Sequence, residues 1–409
     1  MASTLAWLDH DQNAQEATLR LLALFKEKES RDELGVGAIR DSFADQLFPG
    51  TSTIQTRLRY MLFVPWMYQG LEEKRITAAH FARIADQQER ELVLQLLESH
   101  DSDGAFGKRS GKDVKRLPAS VYWSGLGKWG IRQVGYSQDV YHQRIDEIYR
   151  ARNANSAREY AQRERGDDVD SEERKAALSW HASLPAAPDN FPQQVSFDLT
   201  RDEASFLRDR IVELFPESLL AVLSLNARPV TADAPWAHPD YAEFPAALQE
   251  LLQHARLFSE IISGAALSYN LQLARKLGAT SLIEAHESNF DAWLATLPVA
   301  EINDWQLTRF WQLVEDKDQV ITWRTRTFIE QLISHIQRSP QTLISDEHAL
   351  ALVRQREIDL KGLRSRFNNQ RALEQWGGYA GTGKLTYRWN TAKTFLNDLA
   401  KGLHGADAC

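Results

Sequence analysis

Apolar residues recur at helical spacing along most of the chain. Residues 15–26, 38–48 and 77–97 each place apolar side chains three and four positions apart, the pattern of an amphipathic helix. Residues 246–277 are apolar nearly all round between positions 258 and 273, which predicts one long buried helix. Because strand-like alternation is scarce, the sequence predicts a mainly α, multi-helical globular fold with little strand.

Turn residues and prolines suggest where the next helix begins. The turn at residues 48–50 ends the helix before it, and Thr51 or Ser52 can cap a helix that runs from about residue 53 towards residue 68. Pro65 is expected to kink or end that helix, since proline lacks a backbone N–H and its ring clashes with the preceding turn.

Capping residues mark two further helices. Ser137 can cap a helix that continues to about residue 150, and Thr200 can cap one over residues 201–214. Residues 385–403 return to helical spacing and predict the last helix of the chain.

A polar segment divides the chain. Residues 151–175 are charged and carry few apolar side chains, which is typical of an exposed helix or of a linker. Residues 180–192 are punctuated by prolines and predict an extended segment that docks on a domain. We therefore expect an N-terminal helical domain at 1–150 with a candidate catalytic stretch, a polar linker and docking segment at 151–192, and a C-terminal helical domain with a basic patch at 193–409.

Charge and cysteine content narrow the functional classes. The net charge is −8, so nucleic-acid binding would depend on local basic patches. One lies at residues 108–116, and another at residues 354–388 holds eight cations against three carboxylates. The one cysteine, Cys409, excludes an internal disulfide and a thiolate metal cluster, and no other metal-ligand spacing is found. No signal peptide or apolar run of about 18 residues is present, so we expect a soluble cytoplasmic protein with no membrane attachment.

A glycine-rich motif near the end of the chain has the spacing of a phosphate loop. It reads Gly378-Tyr-Ala-Gly-Thr-Gly-Lys384. Leu385 stands where such loops carry the Ser or Thr that binds magnesium, and the residues before the motif do not predict a buried strand. Nucleotide hydrolysis is therefore weakly supported. With Arg371 and Arg388 nearby in sequence, the loop is better suited to a nucleic-acid phosphate.

A second glycine motif lies between two predicted helices. Ser124-Gly-Leu-Gly-Lys-Trp-Gly130, which includes Lys128, looks like the hairpin of helix-hairpin-helix DNA binders, whose backbone amides hold a phosphate. A tight packing turn between helices is the alternative. The match is short, so both interpretations stay open.

A third motif follows soon afterwards. Gln138-Asp-Val-Tyr-His142 looks like the water-activating motif of uracil-DNA glycosylases, with Val140 where that family has proline. A helix is predicted to contain it, whereas in that family the motif follows a strand. Asp139 is therefore kept as a reserve catalytic candidate.

Residues 31–68 hold the richest mixture of functional side chains. Isolated carboxylates, hydroxyls, a glutamine and spaced arginines surround a proline–glycine turn. Base excision needs a carboxylate to activate water or to stabilise positive charge on the sugar. It also needs aromatic side chains for the flipped base and cations for the backbone. The alternative is a turn, a helix N-cap and a buried helix that carries arginines.

Five segments carry a resemblance to a known family: Arg31-Asp-Glu-Leu-Gly35, Leu47-Phe-Pro-Gly-Thr-Ser-Thr-Ile-Gln-Thr-Arg57, Phe63-Val-Pro-Trp66, Tyr122-Trp-Ser-Gly-Leu-Gly-Lys-Trp-Gly-Ile131 and Arg371-Ala-Leu-Glu-Gln-Trp376. They resemble a bacterial, phage-defence-associated family long filed as a domain of unknown function. One branch of it is the Brig-type anti-phage DNA glycosylases. The resemblance implies excision of α-glucosyl-hydroxymethylcytosine from phage DNA, which leaves abasic sites. It assigns no catalytic residue.

The leading hypothesis is therefore a DNA glycosylase in antiviral defence. It is expected to be monofunctional, to need no metal or organic cofactor, and to act on phage double-stranded DNA that carries modified cytosine. The catalytic candidates are Asp41, Glu33 and Asp139. The candidates for substrate and DNA binding are Arg31, Arg40, Ser52, Thr53, Gln55, Arg57, Arg59, Tyr60, Trp66, Trp123, Lys128, Arg364, Arg366, Asn368, Arg371, Trp376, Lys384 and Arg388. The alternative is a non-catalytic DNA-binding or adaptor subunit that works with other defence-locus proteins.

Overall fold

The computed structural model describes residues 32–108, 111–165, 178–315 and 319–405. Three sequence predictions fall outside these ranges: the helix at residues 15–26, and the residues Arg31 and Cys409. Over the described residues the chain forms fifteen α-helices, and β-pairing is limited to an isolated antiparallel bridge between Arg132 and Trp180. The prediction of a mainly α fold is confirmed.

The helices follow one another along the chain with connections of very different length. They are α1 Gly37–Leu47, α2 Tyr60–Glu73, α3 Ala78–Glu98, α4 Pro118–Lys128, α5 Gln138–Arg165, α6 Arg201–Leu214, α7 Leu219–Asn226, α8 Ala246–Leu277, α9 Thr280–Thr296, α10 Val299–Asn303, α11 Leu307–Val314, α12 Trp323–Arg338, α13 Glu347–Lys361, α14 Gln370–Glu374 and α15 Trp389–His404. Short 3-10 turns occur at Gly111–Asp113, Pro235–Ala237, Tyr241–Glu243, Pro340–Ile344 and Gly362–Arg364. No helix in the described ranges is long and apolar enough to cross a membrane.

Several predicted boundaries agree with these bounds. The helices predicted at 201–214 and 246–277 are found at those positions, and α5 carries the polar segment beyond residue 151 as helix up to Arg165. The last helix starts four residues later than predicted. Tyr387 and Arg388 have positive φ angles of 53° and 68°, which a right-handed helix cannot include.

The chain divides into two compact units. Of the described residues, unit 1 takes those at positions 32–43 and 250–385, and unit 2 takes those at positions 44–249 and 386–405. Each unit is assembled from segments that are far apart in sequence. These divisions differ from those predicted at 150 and 192, because composition marks polar linkers but not which distant segments pack together.

In unit 2, α2 begins later and runs further than the sequence predicts. It starts at Tyr60, with Arg59 as its N-cap residue, and continues through Pro65 to Glu73. Neither Thr51 nor Ser52 caps it. Of the two effects expected of Pro65, an end of the helix is wrong, because most side chains of α2 are buried and their packing offsets the lost backbone hydrogen bond.

The expected helix-hairpin-helix element is also absent from its predicted place. Gly125 and Gly127 both lie inside the helix α4 rather than in a turn. A Cβ atom at Gly125 would lie 2.5 Å from the carbonyl oxygen of Gly50, and one at Gly127 would lie 2.3 Å from Arg132. These glycines therefore allow neighbouring segments to approach the helix closely. The packing role of the alternative is found, but the predicted turn at these glycines is not.

Two buried ion pairs connect distant segments of unit 2. The guanidinium of Arg57 lies 2.9 Å from the carboxylate of Asp398 on α15, which also accepts the backbone N–H of Leu58 at 2.9 Å. The guanidinium of Arg59 lies 2.7 Å from Glu203 on α6. A buried ion pair adds little net stability, but removing one partner leaves an uncompensated charge in the interior.

Unit 1 is built around α8, whose residues from Glu250 onward belong to it. A Cβ atom at Gly264 would lie 2.5 Å from the ring of Trp293 on α9, so the glycine lets the two helices pack closely. Ser268 donates its hydroxyl to the carbonyl of Leu343 at 2.9 Å. The face of α12 that carries Phe328 is buried in the same unit.

We expect Asp398→Ala to destabilise the protein by about 3–5 kcal/mol, because Arg57 and the N–H of Leu58 would lose their buried acceptor. Urea unfolding followed by circular dichroism measures this. The matched control is Asp86→Ala, which breaks the exposed Asp86–Arg90 pair on α3 and should change stability by about 0.5 kcal/mol or less. Equal losses for both variants would contradict the prediction.

Glu89 on α3 should make stability depend on pH. Burial raises the pKa of Glu89 to about 8, although the N–H of Ala119 donates to its carboxyl at 2.8 Å. The folded pKa lies above the unfolded one, so folding favours the protonated carboxyl. Relative to Glu89→Gln, wild-type stability should fall by on the order of 1 kcal/mol per pH unit between about pH 5 and pH 8.

The measurement is urea unfolding of both proteins across that pH range. Glu98→Gln, at an exposed position of the same helix, is the control and should keep a constant difference from wild type. A constant difference for Glu89→Gln as well would mean that Glu89 does not titrate in this range.

Candidate active site

A short segment before α1 is held in a defined conformation. Asp32 accepts the backbone N–H of Val36 at 3.0 Å and also that of Gly37 through its side-chain carboxylate. These two donors at the start of α1 would otherwise lack partners, so Asp32 fixes the direction from which the chain enters the helix.

The backbone of the next residues in this segment is hydrogen-bonded to Arg356 of α13. The buried guanidinium of Arg356 donates to the carbonyls of Leu34 at 2.9 Å and Gly35 at 3.1 Å, and to the hydroxyl of Thr325 at 2.8 Å. Gly35 has a φ of +65°, and a Cβ atom there would lie 2.8 Å from Arg356. Only glycine fits this close approach. The contacts on both sides leave little freedom for Glu33.

Four charged side chains meet beside this segment, and we call them the charge cluster: Glu33, Glu357, Lys361 and Arg366. The Glu33 carboxylate contacts the ammonium of Lys361 and lies 2.7 Å from the Arg366 guanidinium. Lys361 also lies 3.7 Å from Glu357. The exposed fraction is 0% for Glu357, 8% for Glu33, 12% for Lys361 and 20% for Arg366. The two cations are therefore more accessible to solvent than the carboxylates.

Hydrogen bonds complete the surroundings of Glu357. Its carboxylate accepts from the hydroxyl of Ser365 and from the backbone N–H of Arg366 at 3.0 Å. The hydroxyl of Tyr269 on α8 lies 3.5 Å away and accepts from Arg366 at 2.8 Å. Burial and the nearby charge of Glu33 raise the pKa of Tyr269, so its hydroxyl stays protonated and remains a donor.

The loop formed by residues 378–384, here called the glycine loop, is held against α8. The fully buried amide of Asn270 accepts from Trp376 Nε1 at 3.1 Å and from the N–H of Ala380 at 2.8 Å. It donates to the carbonyls of Ala380 and Ala266, both at 2.7 Å. All of its hydrogen-bonding capacity is thereby used, which makes Asn270 a rigid attachment point for the loop.

The two ends of the glycine loop are also fixed. His286 Nε2 lies 2.8 Å from the carbonyl oxygen of Gly378, and Lys384 lies 2.6 Å from the Glu260 carboxylate. A Cβ atom at Gly381 would lie 3.9 Å from Cγ of Glu33. The loop therefore adjoins the charge cluster, and together they form our candidate active site.

The structure brings several predicted residues to this site. Glu33 and Arg366 belong to the charge cluster. Trp376 donates to Asn270 just before the glycine loop, and Lys384 is the last residue of that loop. Three more predicted residues of unit 1 are exposed at positions between Lys361 and the glycine loop: Arg364, Asn368 and Arg371. Asp41 and Arg40, on α1, form an ion pair with each other at 3.0 Å.

Other predicted residues belong to unit 2. The turn at residues 51–56 is held by an internal hydrogen bond, since the side-chain amide oxygen of Gln55 accepts the backbone N–H of Ser52 at 2.9 Å. Thr53 is exposed. Arg57 and Arg59 are committed to the ion pairs described above. These contacts give the two arginines a structural role.

The three aromatic residues predicted to stack on a base are buried in unit 2. The ring of Tyr60 lies 5.2 Å from that of Tyr122. Trp66 donates its indole N–H to a backbone carbonyl at 2.7 Å, and Trp123 does so at 2.9 Å. Their faces pack against other side chains of unit 2, so they build its core rather than an open stacking surface.

The remaining unit 2 candidates are scattered over that unit. Asp139 is exposed in the first turn of α5, so the prediction that a helix contains the Gln138–His142 motif is confirmed. Lys128 is exposed at the end of α4. Arg388 lies 2.5 Å from Asp45 and donates to the carbonyl of Thr51 at 2.9 Å.

Sequence reasoning missed five residues of the site. Glu357 and Lys361 lie four positions apart on α13, a spacing that signals a pair on one helix face. Asn270 is a polar residue inside an apolar helix, which signals a buried hydrogen-bonding role. Tyr269 and His286 have no comparable signal. In the described residues, no group of three or more His, Cys, Asp or Glu is placed to hold a metal ion.

Comparison with known proteins identifies the family. No curated protein and no solved structure matches the chain. Residues 2–153 and 167–402 match a family of unknown function, DUF6361. Since the match covers nearly the whole length, the chain belongs to the DUF6361 family of proteins of unknown function.

Proposed function

We propose that this protein is a DNA glycosylase of anti-phage defence that excises a modified base from phage DNA. The observation that carries the proposal is the pairing of two buried carboxylates, Glu33 and Glu357, with two more accessible cations beside a glycine loop. A carboxylate is the group that glycosidic-bond hydrolysis requires to activate water or to stabilise positive charge on the sugar.

In this proposal Glu33 is the reacting carboxylate. Hydrolysis breaks the bond between the sugar C1′ and the base nitrogen, and the base leaves with the electron pair. Water adds at C1′, and the proton that it loses ends on the base nitrogen that received the electron pair. Glu33 orients that water and stabilises the positive charge that develops on the sugar. Glu357 is fully buried behind it and positions Lys361.

The cations around the site suit the DNA backbone. Arg364 and Arg371 are exposed, and Lys384 is half exposed although it pairs with Glu260. Phosphate contacts from such residues supply most of the sequence-independent affinity for DNA. The resemblance noted from the sequence supports α-glucosyl-hydroxymethylcytosine as the first base to test, within double-stranded phage DNA and in the bacterial cytoplasm.

One observation favours a different function, a non-catalytic DNA-binding or adaptor subunit of a defence system. Glu33 contacts both cations, and Glu357 is surrounded by donors, which is also the arrangement of a structural ion-pair network. A protein of this kind would bind DNA with strong salt dependence and release no base.

The deciding experiment incubates the purified protein with unmodified, hydroxymethylated and glucosyl-hydroxymethylated DNA. We expect base release from the glucosylated DNA, and Glu33→Gln should lower its rate by at least about 100-fold because the water-orienting carboxylate is lost. Mass spectrometry detects the released base, and mild alkali cleavage detects the abasic sites.

The controls separate chemistry from folding. Glu284→Gln, at an exposed position of unit 1, should keep the wild-type rate. Asp41→Asn and Asp139→Asn are tested in parallel. If either variant loses all base release while Glu33→Gln stays active, the catalytic role lies outside the charge cluster. No release from any DNA, with binding intact, would support the adaptor function.

DNA binding gives a second prediction. Replacing both Arg364 and Arg371 by Ala should weaken binding to DNA of any sequence and reduce the slope of log affinity against log salt by about 2, one for each lost phosphate contact. The control replaces Arg201 and Arg228, two exposed arginines of unit 2. Equal effects of the two double variants would show that binding does not depend on this part of unit 1.

A further inference from the structure

The structure places an exposed aromatic side chain in the candidate active site. Tyr379, in the glycine loop, is 53% exposed. Among the described residues, Trp323 at the start of α12 is the other large aromatic side chain that is exposed, at 71%. The aromatic residues predicted to stack on a base are buried, so this function passes to a residue that sequence reasoning did not select.

The ring of Tyr379 is supported from within unit 1. Its centroid lies 5.1 Å from that of His286, which is fully buried and stacks on Trp376 at 6.2 Å with an angle of 25° between the rings. His286 Nε2 also lies 2.8 Å from the carbonyl oxygen of Gly378, the residue before Tyr379. An aromatic platform that is fixed in this way loses little conformational entropy when a ligand binds.

Gly378 determines how the chain reaches Tyr379. Its φ angle is +91°, a conformation that residues with a side chain rarely adopt. A Cβ atom there would also lie 3.3 Å from the side chain of Leu282 on α9. The turn therefore depends on glycine at this position.

Charge near the platform completes the case for a nucleic-acid ligand. Lys384 ends the same loop, and Gly381 of the loop adjoins Glu33, which is bound to Lys361 and Arg366. A flat aromatic surface with cations close by is the combination that binds an unpaired base together with its phosphate.

We infer that Tyr379 is the stacking platform for an unpaired nucleobase of a DNA strand at the candidate active site. This inference rests on the proposed function for the identity of that base as the one extruded from the duplex. The phenyl ring does the binding, since stacking needs the face of the ring and not its hydroxyl. Extrusion then brings the sugar of that nucleotide towards Glu33.

The test uses a single-stranded oligonucleotide with 2-aminopurine at one position, with binding measured by fluorescence anisotropy and stacking by quenching of the aminopurine. Tyr379→Ala should weaken binding by about 5- to 150-fold, the range for loss of one stacked base, and should abolish the quenching. Tyr379→Phe should bind and quench within about twofold of wild type because it keeps the ring.

Trp323→Ala is the matched control, since Trp323 is an exposed aromatic residue outside the glycine loop. It should bind within about threefold of wild type and keep the quenching, as it leaves the platform intact. Unchanged binding by Tyr379→Ala, or equal losses in Tyr379→Ala and Trp323→Ala, would overturn the inference, as would a Tyr379→Phe protein as weak as Tyr379→Ala. If the wild type binds and quenches but releases no base, the proposed glycosylase function fails while the platform stands.

Discussion

Burial of the Glu357 carboxylate is the constraint on which unit 1 depends most. A carboxylate that is removed from water must be met by donors or cations, because the free energy of leaving it unpaired is several kcal/mol. For Glu357 these partners come from three places in the chain: Lys361 on the same helix, the backbone and hydroxyl at residues 365–366, and Tyr269 on α8. Satisfying one buried charge thus fixes the relative positions of three segments.

The same set of contacts creates the chemical features of the site. Arg366 reaches Glu33 at 2.7 Å because its backbone N–H is held by Glu357. Glu33 in turn lies in a segment that two side chains hold in place. Asp32 accepts a backbone N–H at the start of α1, and Arg356 donates to a backbone carbonyl of the segment. The contacts that satisfy the buried carboxylate of Glu357 therefore also hold the carboxylate of Glu33 beside the glycine loop.

The glycine loop shows how far motif spacing can mislead. Its spacing is that of a phosphate loop, but the segment before it contains the short helix α14, and the helix after it begins only at Trp389. The absence of a preceding strand was correctly predicted. The loop carries the exposed Tyr379, whose ring packs on the buried ring of His286, which in turn stacks on Trp376. The spacing of the glycines does not predict this arrangement. Likewise, Gly125 and Gly127 have the spacing of a DNA-binding hairpin, yet they serve close packing inside α4.

The sequence by itself determined the mainly α fold and the bounds of helices such as α6 and α8, and it included Glu33 and Arg366 among separate candidate residues. These features depend on hydrophobic period, capping residues and residue type, which are local properties. Only the tertiary structure decided which of the candidates meet. Arg57 and Arg59 have the same residue type as Arg366, but burial beside Asp398 and Glu203 commits them to holding unit 2 together. Tyr60, Trp66 and Trp123 are buried in a core, while Tyr379 is exposed. Burial and partner choice arise from contacts between residues that are hundreds of positions apart, and no local pattern records them.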